Sequence, residues 1–195
     1  MQYPLELNFK IWTFAPSISV TDTQGNLVFF VRQKLFKLKE AITVHADTER
    51  TQPLFEIKAD RILDFSARYN FADNNGTYIG SVKRRGLRSL WSARYDIFDG
   101  ETSSLMIQEE NPWVKVLDAL FQEIPFIGLL SGYVLHPKYL VTRTDTGNVV
   151  MHLEKTPSLI SRRFRIKQVD QLSEREEQQV LLSLLMMVLL ERSRG

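Results

Sequence analysis

The sequence predicts a mainly β protein: a closed antiparallel barrel of roughly twelve strands around one hydrophobic C-terminal helix. Three observations lead there. Short segments with apolar side chains at every second position recur along most of the chain, separated by polar, glycine-bearing turns. Near the end lies a run, residues 180–190, that is apolar on every face. At 195 residues and 44% hydrophobic, the chain suits one domain with a sizeable core. That many strands leave two edges unless the sheet closes. A barrel so wide has an interior to fill, and the apolar helix fills it.

The elements follow in order. Residues 5–14 alternate, with Leu5, Leu7, Phe9 and Ile11 on one side and Glu6, Asn8, Lys10 and Trp12 on the other. Ala15-Pro16 interrupts them. Residues 17–21 lead into the turn around Gly25, and 27–34 return as the second arm of a hairpin. Further strand candidates are 41–45, 54–59, 62–69, 78–84 and 90–98. Asn74-Asn75-Gly76 marks a turn between two of them. Strand–turn–strand chemistry recurs over 95–107 and 139–153, and 161–167 alternates once more.

One interruption reads differently. Asn111 caps and Pro112 opens a segment with apolar residues at Trp113, Val116, Leu117, Leu120, Phe121 and Ile124, which is helical spacing. Pro125 ends it, and an apolar stretch beginning at Phe126 and broken by two glycines follows. The terminal helix starts at Ser173, which forms a capping box with Glu176. Glu174, Glu176 and Glu177 suit the positive end of its dipole, Arg192 and Arg194 the negative end. Its core, 180–190, covers only about 16 Å at 1.5 Å per residue, short of the about 20 apolar residues of a membrane span. The organisation expected is one domain, 1–195: a barrel over 1–172 with an inserted helical and apolar segment at 112–135, and a central helix over 173–195.

Composition excludes several classes. Without Cys there is neither a disulfide framework nor a thiolate metal site. His45, His136 and His152 have no ligand spacing, so no metal and no cofactor is expected. Residues 1–10 lack the basic-then-apolar order of a secretory signal, and a cytoplasmic location, peripheral to a membrane if associated with one, is the default. A net charge of +2 does not suggest a nucleic-acid binder. No nucleophile is paired with a base in any known catalytic spacing, so no catalytic residue is assigned and no enzyme is expected.

Charge is nevertheless segregated. Residues 23–39, 74–95 and 155–169 contain fourteen of the 25 Lys and Arg and no Asp or Glu. The sharpest candidate for anion binding is Lys83, Arg84, Arg85 and Arg88, with Lys83 and Arg85 on one face of a strand end, Arg84 opposite, and Gly86 allowing backbone approach. A solvated hairpin end is the plain alternative. The second candidate is the face carrying Arg163, Arg165 and Lys167, and the third is Lys34, Lys37 and Lys39. The apolar segment, through Trp113, Leu120, Phe121 and Phe126, suits a protein partner, self-association or a membrane interface; a cover packed over one barrel mouth or wall is the plain reading and the favoured one.

The stretch SISVTDTQGNLVFFVRQKLFKLKE, with Asp22, Gly25, Arg32 and Lys34, resembles the opening of LURP-one-related proteins. YIGSVKRRGLRSLWSARYDIFDG and the closing apolar helix are similar to that family as well. The family groups with the tubby C-terminal domain and the phospholipid scramblases. The resemblance implies a closed barrel threaded by its hydrophobic C-terminal helix. For function it implies anionic lipid or phosphoinositide head groups as ligands, as for tubby domains, although no head-group residue of those domains transfers to a numbered position here. No carboxylate loop like the calcium segment of scramblases is present. The expected function is a non-enzymatic barrel associating with anionic head groups through a basic patch; the alternative is a scaffolding module using residues 113–135. Oligomeric state and the choice of partner stay open at this stage.

Overall fold

A computed structural model describes residues 1–10, 16–32, 41–61, 67–85, 94–110, 138–156 and 161–192, without the side chains of 161, 191 and 192. Twelve strands form a single closed antiparallel barrel: β1 (Leu5–Lys10), β2 (Ser17–Thr21), β3 (Leu27–Arg32), β4 (Ile42–His45), β5 (Pro53–Ala59), β6 (Arg68–Asp73), β7 (Tyr78–Arg85), β8 (Arg94–Asp99), β9 (Thr102–Glu109), β10 (Lys138–Arg143), β11 (Val149–Thr156) and β12 (Ser161–Gln168). Each pairs with its sequence neighbours, and β1 pairs with β12 to close the ring. Inside it runs the single described helix, α1 (Glu174–Arg192).

The period-two pattern decides which face points inward. On β1 the alternation buries Leu5, Leu7 and Phe9 and exposes Glu6 and Lys10. β12 buries Phe164 and Ile166 and exposes Arg163, Arg165 and Lys167. One expectation shifts: the strand placed at 62–69 is β6, Arg68–Asp73, with Tyr69 and Phe71 inward. Residues 62–66 lie outside the described part, as do 111–137 with Trp113, Leu120, Phe121 and Phe126.

Every residue from Val180 to Leu190 is buried, Ser183 included. A helix apolar on all faces needs apolar surroundings on all sides, and here the inward faces of the strands supply them. Among the described residues no helix is long and apolar enough to cross a membrane. α1 lies closest to β7 and β8. The reason is local. A Cβ on Gly80 would stand 2.8 Å from Cγ of Gln179 and 2.9 Å from the Phe98 carbonyl oxygen. Glycine therefore leaves the notch into which Gln179 fits, and the Gln179 amide donates to the Ile79 carbonyl at 2.8 Å.

Strand parity sorts the connections onto two rims. The short turns β2–β3, β4–β5, β6–β7, β8–β9 and β10–β11 all lie on one, here the turn rim, together with the start of α1. The longer connections, whose interiors lie outside the described residues, all leave from the opposite, or loop, rim.

The turn rim is organised by aspartates. Asp22 accepts from the backbone N–H of Gln24 and Asn26, both at 2.9 Å, and Asp73 from those of Asn75 and Thr77 at 2.9 and 2.8 Å. Three residues after each Asp, Gly25 and Gly76 take φ of +82°. Asp47 accepts likewise from Thr51, and there Arg50 takes φ +64°. These hydrogen bonds hold all three carboxyls below the usual carboxylate range. The Asn26 side chain is the leading cause at Asp22, the Thr51 N–H at Asp47 and the Thr77 N–H at Asp73.

The first turn of α1 is tied down at this rim. Ser173 and Glu176 form the expected capping box, with Ser173 N–H donating to Glu176 at 2.8 Å and Glu176 N–H to Ser173 Oγ at 3.3 Å. Arg143 at the turn-rim end of β10 pairs with Glu176, which lowers the Glu176 carboxyl. Tyr3 donates to Glu177 at 2.7 Å, and Arg175 meets Asp99 at 3.0 Å. Burial, reinforced by Glu177, holds the Tyr3 hydroxyl protonated far above its ordinary value.

Candidate functional site

The Lys83–Arg85 end of β7 does not form the outward cluster read from its sequence. Lys83 is half-buried and stands opposite Asp96 in the β7–β8 ladder. Arg85 is exposed, but its Nε contacts Asp96 Oδ2 at 2.7 Å, while Arg94 approaches the other oxygen at 3.7 Å. Asp96 lies one residue beyond the acid-free stretch 74–95, and the hairpin folds it back into the middle of the cations. Arg84 points into the barrel and is 7% exposed, which removes it from any outer binding face. Val82 is buried two positions before it on the same strand, and alternation sends both the same way. Arg88 lies outside the described residues.

The β12 face is outward as expected, yet two of its three cations are engaged. Arg165 reaches Glu6 on β1 at 3.5 Å and Lys167 reaches Glu154 on β11 at 2.9 Å. The Lys167 contact leads the lowering of the Glu154 carboxyl. Arg163 has no carboxylate partner among the described residues. The three acid-free segments do not converge on one wall, since β3, β7–β8 and β11–β12 are spread round the ring. They share the loop rim instead.

Sorting every described cation by partner gives a clearer site. Among the described residues, seven of them meet no carboxylate: Lys10, Arg32, Arg50, Lys83, Lys138, Arg162 and Arg163. Arg50 sits in a turn and Lys83 is half-buried. The other five are exposed and stand at the loop-rim ends of β3, β1, β12 and β10, within six consecutive positions of the ring. The ladders fix the arc. Ser17 pairs with both Lys10 and Arg32, and Lys10 pairs with Ser161 next to Arg162. Lys138 stands across from Glu154, whose carboxylate is already held by Lys167. From β3 to β10 is five inter-strand steps, about 24 Å of arc at about 4.8 Å each.

Of these five, the sequence argument had singled out Arg163 as a site residue. Lys10, Arg32, Arg162 and Lys138 escaped it because they are far apart in the chain. The missing signal was positional: each stands at or next to the end of a strand on the same rim. The described residues that flank the inserted segment stand at this rim as well. Glu110 N–H donates to the Lys138 carbonyl at 2.9 Å, so the two residues that bracket 111–137 are held side by side.

Residues 27–123, from β3 through β9 and beyond, match the LURP-one-related family. The chain carries a LURP-one-related domain. No curated protein matches the sequence. Among solved structures, an X-ray structure of a protein from Arabidopsis thaliana is similar at 15% identity and a TM-score of 0.49, over 97% of this chain and 91% of the other. The family match leaves out β1, β10 and β12, and so all of the arc except Arg32.

Charge on the barrel is divided along its axis. The turn rim with the start of α1, residues 22–26, 46–52, 73–77, 99–102, 143–148 and 169–177, carries eleven Asp and Glu against three Arg. The described strand ends of the loop rim, residues 9–10, 16–17, 31–32, 41–42, 59–61, 67–68, 84–85, 94–95, 109–110, 138–139, 155–156 and 161–162, carry ten Lys and Arg against three Asp and Glu. The acidic rim meets the positive end of the α1 dipole and the basic rim its negative end, so both stabilise the helix in its observed direction.

Proposed function

We propose that this barrel is a non-enzymatic module that associates peripherally with anionic phospholipid head groups through its loop rim. The observation that carries the reading is the arc of exposed cations that have no carboxylate partner among the described residues: Arg32, Lys10, Arg162, Arg163 and Lys138. Each basic residue near an anionic leaflet contributes about 1 kcal/mol, so five give about 5 kcal/mol, a dissociation constant somewhat below about 1 mM. Such binding is screened over about 8 Å at physiological ionic strength and weakens with salt. Co-sedimentation with vesicles at low salt tests it. Binding should require anionic lipid, and a Lys10→Glu, Arg32→Glu, Arg163→Glu variant with an unchanged melting temperature should lose most of it. Equal binding to neutral and anionic vesicles would remove the reading.

The second reading, a scaffolding or self-associating module using residues 113–135, is favoured by the placement of the described residues flanking that segment on the same rim. Light scattering over a range of concentrations separates the two. Mass that rises with concentration, and stops rising when Leu120 and Phe121 become Ser, supports a protein partner.

A further inference from the structure

Resting on the lipid-surface reading above, we propose that the barrel meets the membrane end-on, loop rim down and turn rim away. It reads the charge density of an extended anionic leaflet rather than gripping one head group. Two features carry this. The five cations without a described carboxylate partner are strung along about 24 Å of rim, so all five cannot converge on a single phosphate. The wall below them is neutralised: Arg165 is paired with Glu6 and Lys167 with Glu154. Laying the barrel on that wall would bring those carboxylates and part of the acidic turn rim against an anionic surface. Standing it on the loop rim does the reverse. An eight-residue strand rising about 3.3 Å per residue and tilted about 40° separates the rims by about 20 Å, more than two screening lengths at about 8 Å. The acidic rim then adds almost no repulsion.

The protein has no Cys, so single introduced thiols report position without background. An environment-sensitive dye is placed at Ser17→Cys, between Lys10 and Arg32, or at Val169→Cys, at the turn-rim end of β12. Both are mixed with vesicles containing phosphatidylserine, or a phosphoinositide at matched total charge. The expected result is a response from the Ser17 dye and none from the Val169 dye. Affinities should agree within about threefold between the two vesicles, and soluble inositol trisphosphate at the same phosphate concentration should not compete. A response from the Val169 dye equal to that from Ser17 overturns the end-on geometry and leaves the lipid reading standing. Strong preference for the phosphoinositide with competition by the soluble head group overturns the charge-density reading. Absence of binding to every anionic vesicle removes this inference and the proposed function together.

Discussion

At the scale of single residues, two positions in the core expose the terms on which α1 is held. Ser183 is fully buried, and its hydroxyl has no hydrogen-bond partner among the described residues. A buried hydroxyl without a partner costs about 1–3 kcal/mol, and alanine removes it with the loss of one atom. Ser183→Ala is therefore expected to stabilise the protein by about 1 kcal/mol in chemical denaturation. Gly80 has the opposite sign. An alanine there would press its Cβ on Gln179 and on the backbone oxygen of Phe98, and backbone does not yield as a flexible side chain does. Gly80→Ala should cost about 2 kcal/mol in the same measurement, within the usual range for overpacking. Asp96 illustrates how one carboxylate alters a site: with 7% of its side chain exposed, it draws in Arg85 and Arg94 and leaves the β7 cluster largely compensated.

Among the elements, the three aspartate turns make the clearest prediction. The carboxyls of Asp22, Asp47 and Asp73 lie below their ordinary values, so they stabilise the fold fully above about pH 4, the range of unfolded carboxyls. That contribution is lost as pH falls through their lowered folded values. The melting temperature should drop steeply between about pH 4 and pH 2, and an Asp47→Asn, Asp73→Asn variant should drop less steeply, because an amide oxygen still accepts the backbone N–H groups but does not titrate. The strands and α1 were legible in the sequence because burial on one face imposes period two, and Ser173 with Glu176 announced the helix start. β6 runs on to Asp73, past the expected end at Tyr69, because Asn70 and Asp73 are poor strand formers on their own and hid the continuation. The candidate site was less legible for a different reason. Alternation along one strand foretold that Arg84 faces away from Lys83 and Arg85, but not that away meant buried inside the barrel. Pairing across strands then assigned Asp96, Glu6 and Glu154 to cations that had looked free.

For the whole molecule, the interior of the barrel and the helix are complementary halves of one core. Among the described residues, the inward side chains of the strands have no other partner large enough to cover them, and α1 has no other surroundings. A chain ending at residue 172 should therefore lose its cooperative melting transition, read by calorimetry and by near-ultraviolet circular dichroism. Charge is arranged at this scale too, with the acidic turn rim and the basic loop rim reinforcing the helix dipole that joins them.

The order of strands round the ring has a further consequence. Eleven of the twelve contacts between neighbouring strands join consecutive segments, and they can form one after another as each hairpin emerges. Closure alone, β1 against β12, joins residues such as Leu5 and Ile166. During synthesis the growing sheet must curl with its greasy side uncovered until α1, which follows every strand in the sequence, is made. The interval before the plug arrives is when this protein is most exposed to aggregation and most in need of a chaperone's cover.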